Sequence, residues 1–449
     1  MAALGGFLFG YDAAVISGTI SMVSDQFHLD SVMLGWYVSS ALIGSMVGVL
    51  IAGYISDAIG RKKAMMISAV FFFVSGVGCA LSESMLELIV YRVVGGFGIG
   101  MISIISPMYI SEIAFAKIRG SLVTLYQLAI TLGFLLAYVV NFWLLEFSES
   151  SSGLGSVVLD KLLISEVWRG MLGAEALPAA LFLLVIFILP ESPRWLFVKG
   201  DEVKTFRVLQ KIYNSHNSIV QEIDSMRASL KNDESLNWKL LLKPGLFKAV
   251  VIGSLIAILG QFMGVNAVLY YGPTIFEQSG MSGGDALYYQ VFIGGVNVIT
   301  TIIALYIIDK VGRKKLVYFG VTGMIISLVL IAGYFYKGDA LGLSSDLLLI
   351  LFLAYIFFTA ISISAVVFVL LSEMYPTKIR GLAMSIAGFS LWFGTFIVGQ
   401  LTPWFLEVLS PEGTFLLFAI MCFPYMYIIW KKVPETTGKT LEEIESFWT

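Results

Sequence analysis

Charge is scarce in this sequence. Aspartate, glutamate, lysine and arginine make up 13% of the 449 residues, about half the ~25% of an ordinary soluble domain. With 58% hydrophobic residues and a mean hydropathy of +0.88, a soluble fold would expose too much apolar surface, and a soluble enzyme is all but excluded. Neither sign dominates. The 28 Lys and Arg stand against 31 Asp and Glu, a net charge of −3, so no basic field exists to attract nucleic acid. Cysteine is nearly absent: Cys79 and Cys422 both sit in apolar runs, which argues against a disulfide framework or a thiolate metal cluster. His28 and His216 are far apart and have no other ligand types beside them, so neither a metal nor a cofactor is expected. Also missing are the ~10-residue alternating segments of a membrane β-barrel and any nucleophile–base constellation of an enzyme.

What the sequence has instead is apolar runs, each long enough to cross a hydrocarbon core of ~30 Å. Twelve are read, near 1–23, 33–56, 64–82, 85–110, 120–145, 168–189, 247–277, 286–308, 316–336, 347–372, 382–406 and 413–431. In lipid, backbone groups must find partners within their own segment, so these runs are helices. The fold class is an all-α membrane protein of about twelve transmembrane helices. The chain opens on MAALGGFLFGYD, with neither a charged n-region nor a cleavage pattern. A cleaved signal peptide is therefore not expected, whereas a short cytoplasmic tail preceding this start is.

The charges sort by side. Arg61, Lys62, Lys63, Lys117, Arg119, Lys310, Arg313, Lys314, Lys315, Lys378, Arg380, Lys431 and Lys432 follow even-numbered helices, while the opposite loops are short and mostly acidic or neutral. The positive-inside rule places both termini in the cytoplasm of a multi-pass protein of the plasma (inner) membrane. Residues 191–243 hold 16 of the 59 charged residues, mixed with apolar ones at helical spacing. They read as short amphipathic helices on the cytoplasmic face. The expected organisation is a six-helix half over 1–189, a cytoplasmic linker over 190–246, a second half over 247–432 and a tail over 433–449.

The halves echo each other. Asp57–Ala–Ile–Gly60–Arg61–Lys62–Lys63 recurs as Asp309–Lys–Val–Gly312–Arg313–Lys314–Lys315. Glu112 with Ile118–Arg119–Gly120 recurs as Glu373 with Ile379–Arg380–Gly381, and Pro190–Glu191 recurs as Pro434–Glu435. Three matches in one order at similar offsets indicate a parallel duplication. DAIGRKK and DKVGRKK resemble the loop motif of the major facilitator superfamily. PESPRWL at 190–196, PETTGKT at 434–440, GYD at 10–12 and the QxxGxN of 261–266 are similar to its sugar porter family, across essentially the whole chain. That family holds facilitative glucose transporters and bacterial sugar–proton symporters.

Asp12 lies inside the first apolar run, where a carboxylate costs roughly 2.5–3.5 kcal/mol and calls for an interior position and a partner. Arg92 lies inside the fourth. Spacing alone does not join them; the resemblance implies that they form the coupling pair of a proton symporter, in which the carboxylate stays ionised beside the arginine and takes up a proton once the two separate. A static ion pair bracing two helices is the other reading. Glu175, in the sixth run, tunes the pair or merely hydrogen-bonds. Gln127, Gln261, Asn266 and Asn297 are amides inside helices. They suit neighbouring sugar hydroxyls because each offers donors and an acceptor without charge, but such amides also tie helices together. The resemblance implies sugar contact for these four, for Trp392 as an aromatic platform, and for Tyr270 with Tyr271 near an outer gate. Phe368 stands where the family has a tryptophan. GGFGIG at 95–100 follows no strand and lies in an apolar helix, so it reads as small-residue helix packing rather than a nucleotide loop.

Asp57, Arg61, Glu112, Arg119, Asp309, Arg313, Glu373 and Arg380 are expected to form cytoplasmic salt bridges between the halves, as the resemblance implies for the outward-open state; the alternative is solvated charges that only set topology. The chain departs from the family's pattern at Gly260, at Leu391, at Phe368 and at Ser364–Ala365, where a helix-breaking Gly-Pro is usual. The expected protein is a monomeric major facilitator that imports a monosaccharide or related polyol with a proton by alternating access. An uncoupled facilitator, an inositol-type cyclitol carrier and, further off, a membrane sugar sensor remain as alternatives.

Overall fold

The computed structural model describes residues 2–114, 119–213, 215–231, 243–375, 379–435 and 448. The first run is not one straight helix: α1 (Leu4–Val15) and α2 (Ile20–Phe27) form a pair bent by 53° around a tight turn at Ile16–Gly18. Next come α3 (Ser31–Ile59), α4 (Arg61–Leu81), α5 (Met85–Ile113), α6 (Arg119–Ser150) and the short α7 (Val157–Asp160). The sixth run is interrupted at Ala174–Glu175, giving α8 (Val167–Gly173) and α9 (Ala176–Ile188). The break falls where the ring of Pro178 opposes the carbonyl of Ala174, four residues back. Between the halves lie α10 (Pro193–Val198), α11 (Glu202–Ile212) and α12 (His216–Lys231), which close a small core of Phe197, Leu209, Ile219 and Met226.

The second half starts with α13 (Pro244–Phe262) and α14 (Val265–Gln278), followed by α15 (Gly283–Val311) and α16 (Arg313–Leu341). Then α17 (Ser345–Thr359) and α18 (Ala365–Met374) run on through a π-helical turn at Ala360–Ser364, and α19 (Arg380–Val408) and α20 (Ser410–Lys432) complete the bundle. Among the described residues, eleven segments are long and apolar enough to cross a membrane, or twelve with the bent pair. The tenth span thus keeps an irregular π turn without the Gly-Pro that the sequence lacks.

The duplicated motif has a structural reason. Gly60 and Gly312 turn the chain between paired helices with φ of +99° and +98°, a region that only glycine enters freely. Glu191 then accepts from the N–H groups of Arg61 (2.9 Å) and Lys62 (3.1 Å) at the start of α4, where an anion is favoured. Lys62 Nζ donates to the Phe187 carbonyl at 2.8 Å, and Lys314 Nζ to that of Val433 at 2.9 Å. These turns define the basic end of the bundle. GGFGIG lies in α5: a side chain at Gly96 would begin 1.8 Å from the Ala41 carbonyl oxygen of α3, so the run is a close helix–helix contact. The two halves meet along α3 with α19 and α6 with α15.

Candidate functional site

α1 brings Asp12 and α5 brings Arg92 into the interior of the first half, where they are 0% and 2% exposed. Arg92 Nη1 donates to Asp12 Oδ1 at 2.5 Å. Two polar atoms of the pair remain free of partners, Asp12 Oδ2 and Arg92 Nε, and so do Ser75 Oγ of α4 and Glu175 Oε1 at the α8–α9 break; all four are buried. Glu175, Tyr37 and Cys79 all lie within electrostatic reach of Arg92. A buried polar atom without a partner costs about 1–3 kcal/mol, so four in one region mark a place arranged for something besides packing. Ser75 had no signal in the sequence, since serine inside an apolar helix is ordinary.

In the second half the chain breaks at Met263–Gly264, and this break sets Gln261 of α13 against Asn266 of α14. Asn266 Nδ2 donates to Gln261 Oε1 at 2.7 Å, and Thr395 Oγ1 of α19 donates to the same oxygen at 3.1 Å. The carbonyl of Met263, freed by the break, accepts from the Tyr355 hydroxyl at 2.7 Å. Trp392 lies one turn before Thr395, buried, with its ring 5.4 Å from that of Phe9 on α1. Thr395 was findable as the same-face neighbour of Trp392, three residues on; Phe9 was not, because it meets Trp392 only across the two halves. Tyr270 is buried, and the Tyr271 hydroxyl donates to the Gly399 carbonyl at 2.6 Å.

Not every candidate joins this cluster. Gln127 is half-buried on α6 and Asn297 is buried on α15; neither is hydrogen-bonded through its side chain to Gln261 or Asn266. The buried stripe of α18 runs through Val366, Val367, Leu370, Leu371 and Met374, and Phe368 stands off it, 47% exposed, so it forms no closed wall against a ligand in this conformation.

At the basic end, the ion pairs among the described residues lie within each half. Arg61 meets Asp57 at 2.8 Å and Glu112 at 3.0 Å, and Arg313 meets Glu373 at 2.9 Å. Each of these bridges lies within one half, because the Gly60 and Gly312 turns bring the arginines back against their own helices. Arg380 donates to the Tyr375 carbonyl at 3.2 Å. The side chains of Arg119 and Asp309 lie outside the described residues. Contacts across the halves are found at the other end: Ser21 Oγ donates to Glu277 Oε1 at 3.3 Å, and the rings of Phe142 and Tyr288 lie 5.4 Å apart.

With this geometry in place, the chain is found to belong to the family described as "Sugar (and other) transporter", whose model matches residues 1–448. It is 38% identical over 450 residues to the arabinose-proton symporter of Bacillus subtilis, covering all of this chain and 93% of that one. It is 36% identical over 480 residues to the D-xylose-proton symporter of Escherichia coli, covering 100% and 94%. The inward-open structure of the Escherichia coli xylose transporter XylE superposes with a TM-score of 0.85 at 34% identity, over 100% of this chain and 98% of that one. The major facilitator proton:xylose symporter bound to 6-bromo-6-deoxy-D-glucose superposes with a TM-score of 0.80 at 36% identity, over 100% and 98%. The protein is a multi-pass membrane transporter with the major facilitator fold, not an enzyme.

Proposed function

We propose that this chain is a secondary active transporter that brings a monosaccharide into the cell together with a proton by alternating access. The observation that carries the reading is the buried Asp12–Arg92 pair with unpartnered polar atoms around it. An isolated carboxylate inside a span is expensive, so when helix motion parts the two, Asp12 takes a proton, and it releases that proton when Arg92 returns. Glu175 modulates the exchange. On the sugar side, Gln261 and Asn266 hydrogen-bond to each other and turn to hydroxyls when a sugar enters. Gln127, Asn297, Tyr270, Phe368 and Trp392 complete the lining. The relatives named as arabinose and xylose symporters favour a pentose. So do Gly260 and Leu391, which offer no polar side chain to a further hydroxyl.

The basic end is placed in the cytoplasm by the positive-inside rule, so both termini lie there, in the plasma membrane. The halves are 1–189 and 247–432, joined by the cytoplasmic linker 190–246 and followed by the tail 433–449, and the unit is a monomer. The cross-half contacts at the opposite, outer end and the likeness to an inward-open relative support an inward-facing state. The test is uptake into proteoliposomes of a panel of pentoses, hexoses and cyclitols, with and without an imposed proton gradient. Accumulation of a pentose above the outside concentration only with the gradient supports the proposal. Uptake that merely equilibrates in both cases means an uncoupled facilitator.

A further inference from the structure

At the outer end, one polar side chain of the second half is hooked into the first by both of its functional groups. Gln400 of α19 accepts from Ser39 Oγ at 2.7 Å and donates through Nε2 to the Val32 carbonyl at 3.1 Å, both on α3. The hook depends on a backbone approach: a side chain at Gly35 would begin 2.2 Å from the Gln400 carbonyl oxygen and 2.7 Å from its Nε2. The preceding residue ties this point to the sugar-binding helix. The Gly399 carbonyl accepts from the fully buried Tyr271 hydroxyl of α14, five residues beyond Asn266. Just outside the hook, Leu34 of α3, Tyr271 of α14 and Pro403 of α19 line a cleft of about 310 Å³ between the halves.

We infer that Gln400 is a positioning residue of the transport cycle: it latches the outer end shut, and the link through Gly399 to Tyr271 lets events on α14 weaken or strengthen that latch. The inference rests on the transporter reading above, but not on the identity of the sugar or on proton coupling. Its physical content is specific. A primary amide is both donor and acceptor, so Gln400 answers a hydroxyl and a carbonyl on α3 at once. Neither bond survives separation of α3 from α19. Interactions present in one state and absent from the other are the ones that set a conformational equilibrium. The latch carries no charge, so it holds the outer end equally whatever the protonation state inside the bundle.

The experiment labels a cysteine in the cleft. In a background with Cys79→Ala and Cys422→Ser, Leu34→Cys is introduced and its reaction rate with a maleimide is followed in purified full-length protein in detergent, where both ends meet the reagent. No sugar or gradient is needed, so a failed symport assignment leaves the result intact. Gln400→Met keeps the shape and removes both hydrogen bonds. Two net bonds of the usual strength predict a labelling rate raised about five- to hundred-fold, with the thermal midpoint changed little. Ser39→Ala removes one of the two bonds and should give a smaller rise; it answers the same question if Gln400→Met does not fold. A Leu34→Cys rate equal to that of the parent in either variant overturns the inference. So does a rise matched by an equal rise at a cysteine placed on the lipid-facing Leu184, which would report loosening of the whole bundle.

Discussion

At the scale of single residues, the decisive contrast is between polar atoms that are paired and those that are not. Asp12 spends one carboxylate oxygen on Arg92 and leaves the other buried and free. Asp12→Asn keeps the volume and removes the exchangeable charge. We expect it to abolish accumulation of sugar against a gradient while exchange of labelled for unlabelled sugar across proteoliposomes persists; uphill accumulation by the variant would remove Asp12 from coupling. Gly260 makes the complementary case, a missing polar group. Its position is roomy: an added Cβ would meet only Ile363 and Tyr425, each at 3.7 Å, and the Tyr425 hydroxyl is buried without a partner. The space admits a Cβ, and Gly260→Gln brings an amide that can serve one more hydroxyl. One net hydrogen bond predicts a gain of about two- to tenfold in affinity for a hexose, measured by calorimetric titration beside the parent. No gain for glucose would show that this departure does not set selectivity.

At the scale of elements, function collects where helices are interrupted. The Gly264 break frees the Met263 carbonyl for Tyr355 and brings Gln261 and Asn266 face to face. Gly264 has φ of +90°, and an added Cβ would lie 2.4 Å from the Phe418 ring. Gly264→Ala should destabilise by about 1–3 kcal/mol and weaken sugar binding, because the chain can relieve the strain only by moving Asn266. An unchanged melting midpoint together with unchanged affinity would mean that the break is not needed. This break was legible in the sequence, since Gly260, Gly264, Gly272 and Pro273 crowd one apolar run. The spans themselves were equally legible, because length and apolarity are local properties. The bend between α1 and α2 and the π turn at Ala360–Ser364 were not. No glycine–proline pair announces them, and each depends on what packs against the helix. The residues of the ion pair were visible as charges in apolar runs, but their meeting is a tertiary fact. Thr395, Ser75 and Gln400 are polar residues of a common kind whose importance appears only through their partners.

At the scale of the whole molecule, the two ends are held by different forces. The end opposite the basic one is joined across the halves by hydrogen bonds, one of them to the Glu277 carboxylate, and by rings, whereas the ion pairs described at the basic end lie inside each half. A pair inside a rigid half exists in both states and shifts nothing, unless one partner changes allegiance when the ends exchange roles. Glu112 is the candidate for that change. Arg61 keeps Asp57 and the Ser56 carbonyl as partners if Glu112 leaves, so the first half can release Glu112 to a cation of the second half when the basic end closes. Glu112→Gln removes the pairing with Arg61 seen here as well, so it moves the equilibrium only by the difference between that pair and the one made across the halves. With the cross-half pair the stronger by about 1 kcal/mol, the reaction of Leu34→Cys with maleimide should fall about fivefold. Gln400→Met pulls the same equilibrium the other way. The two positions sit at opposite ends of spans ~30 Å long, and energies of such distant sites add. The double variant should therefore label at the product of the two single ratios, closer to the parent than Gln400→Met alone. If Glu112→Gln instead lowers the melting midpoint and leaves labelling unchanged, its bridge to Arg61 only braces the first half, and the outer latch governs the equilibrium without an ionic counterpart at Glu112.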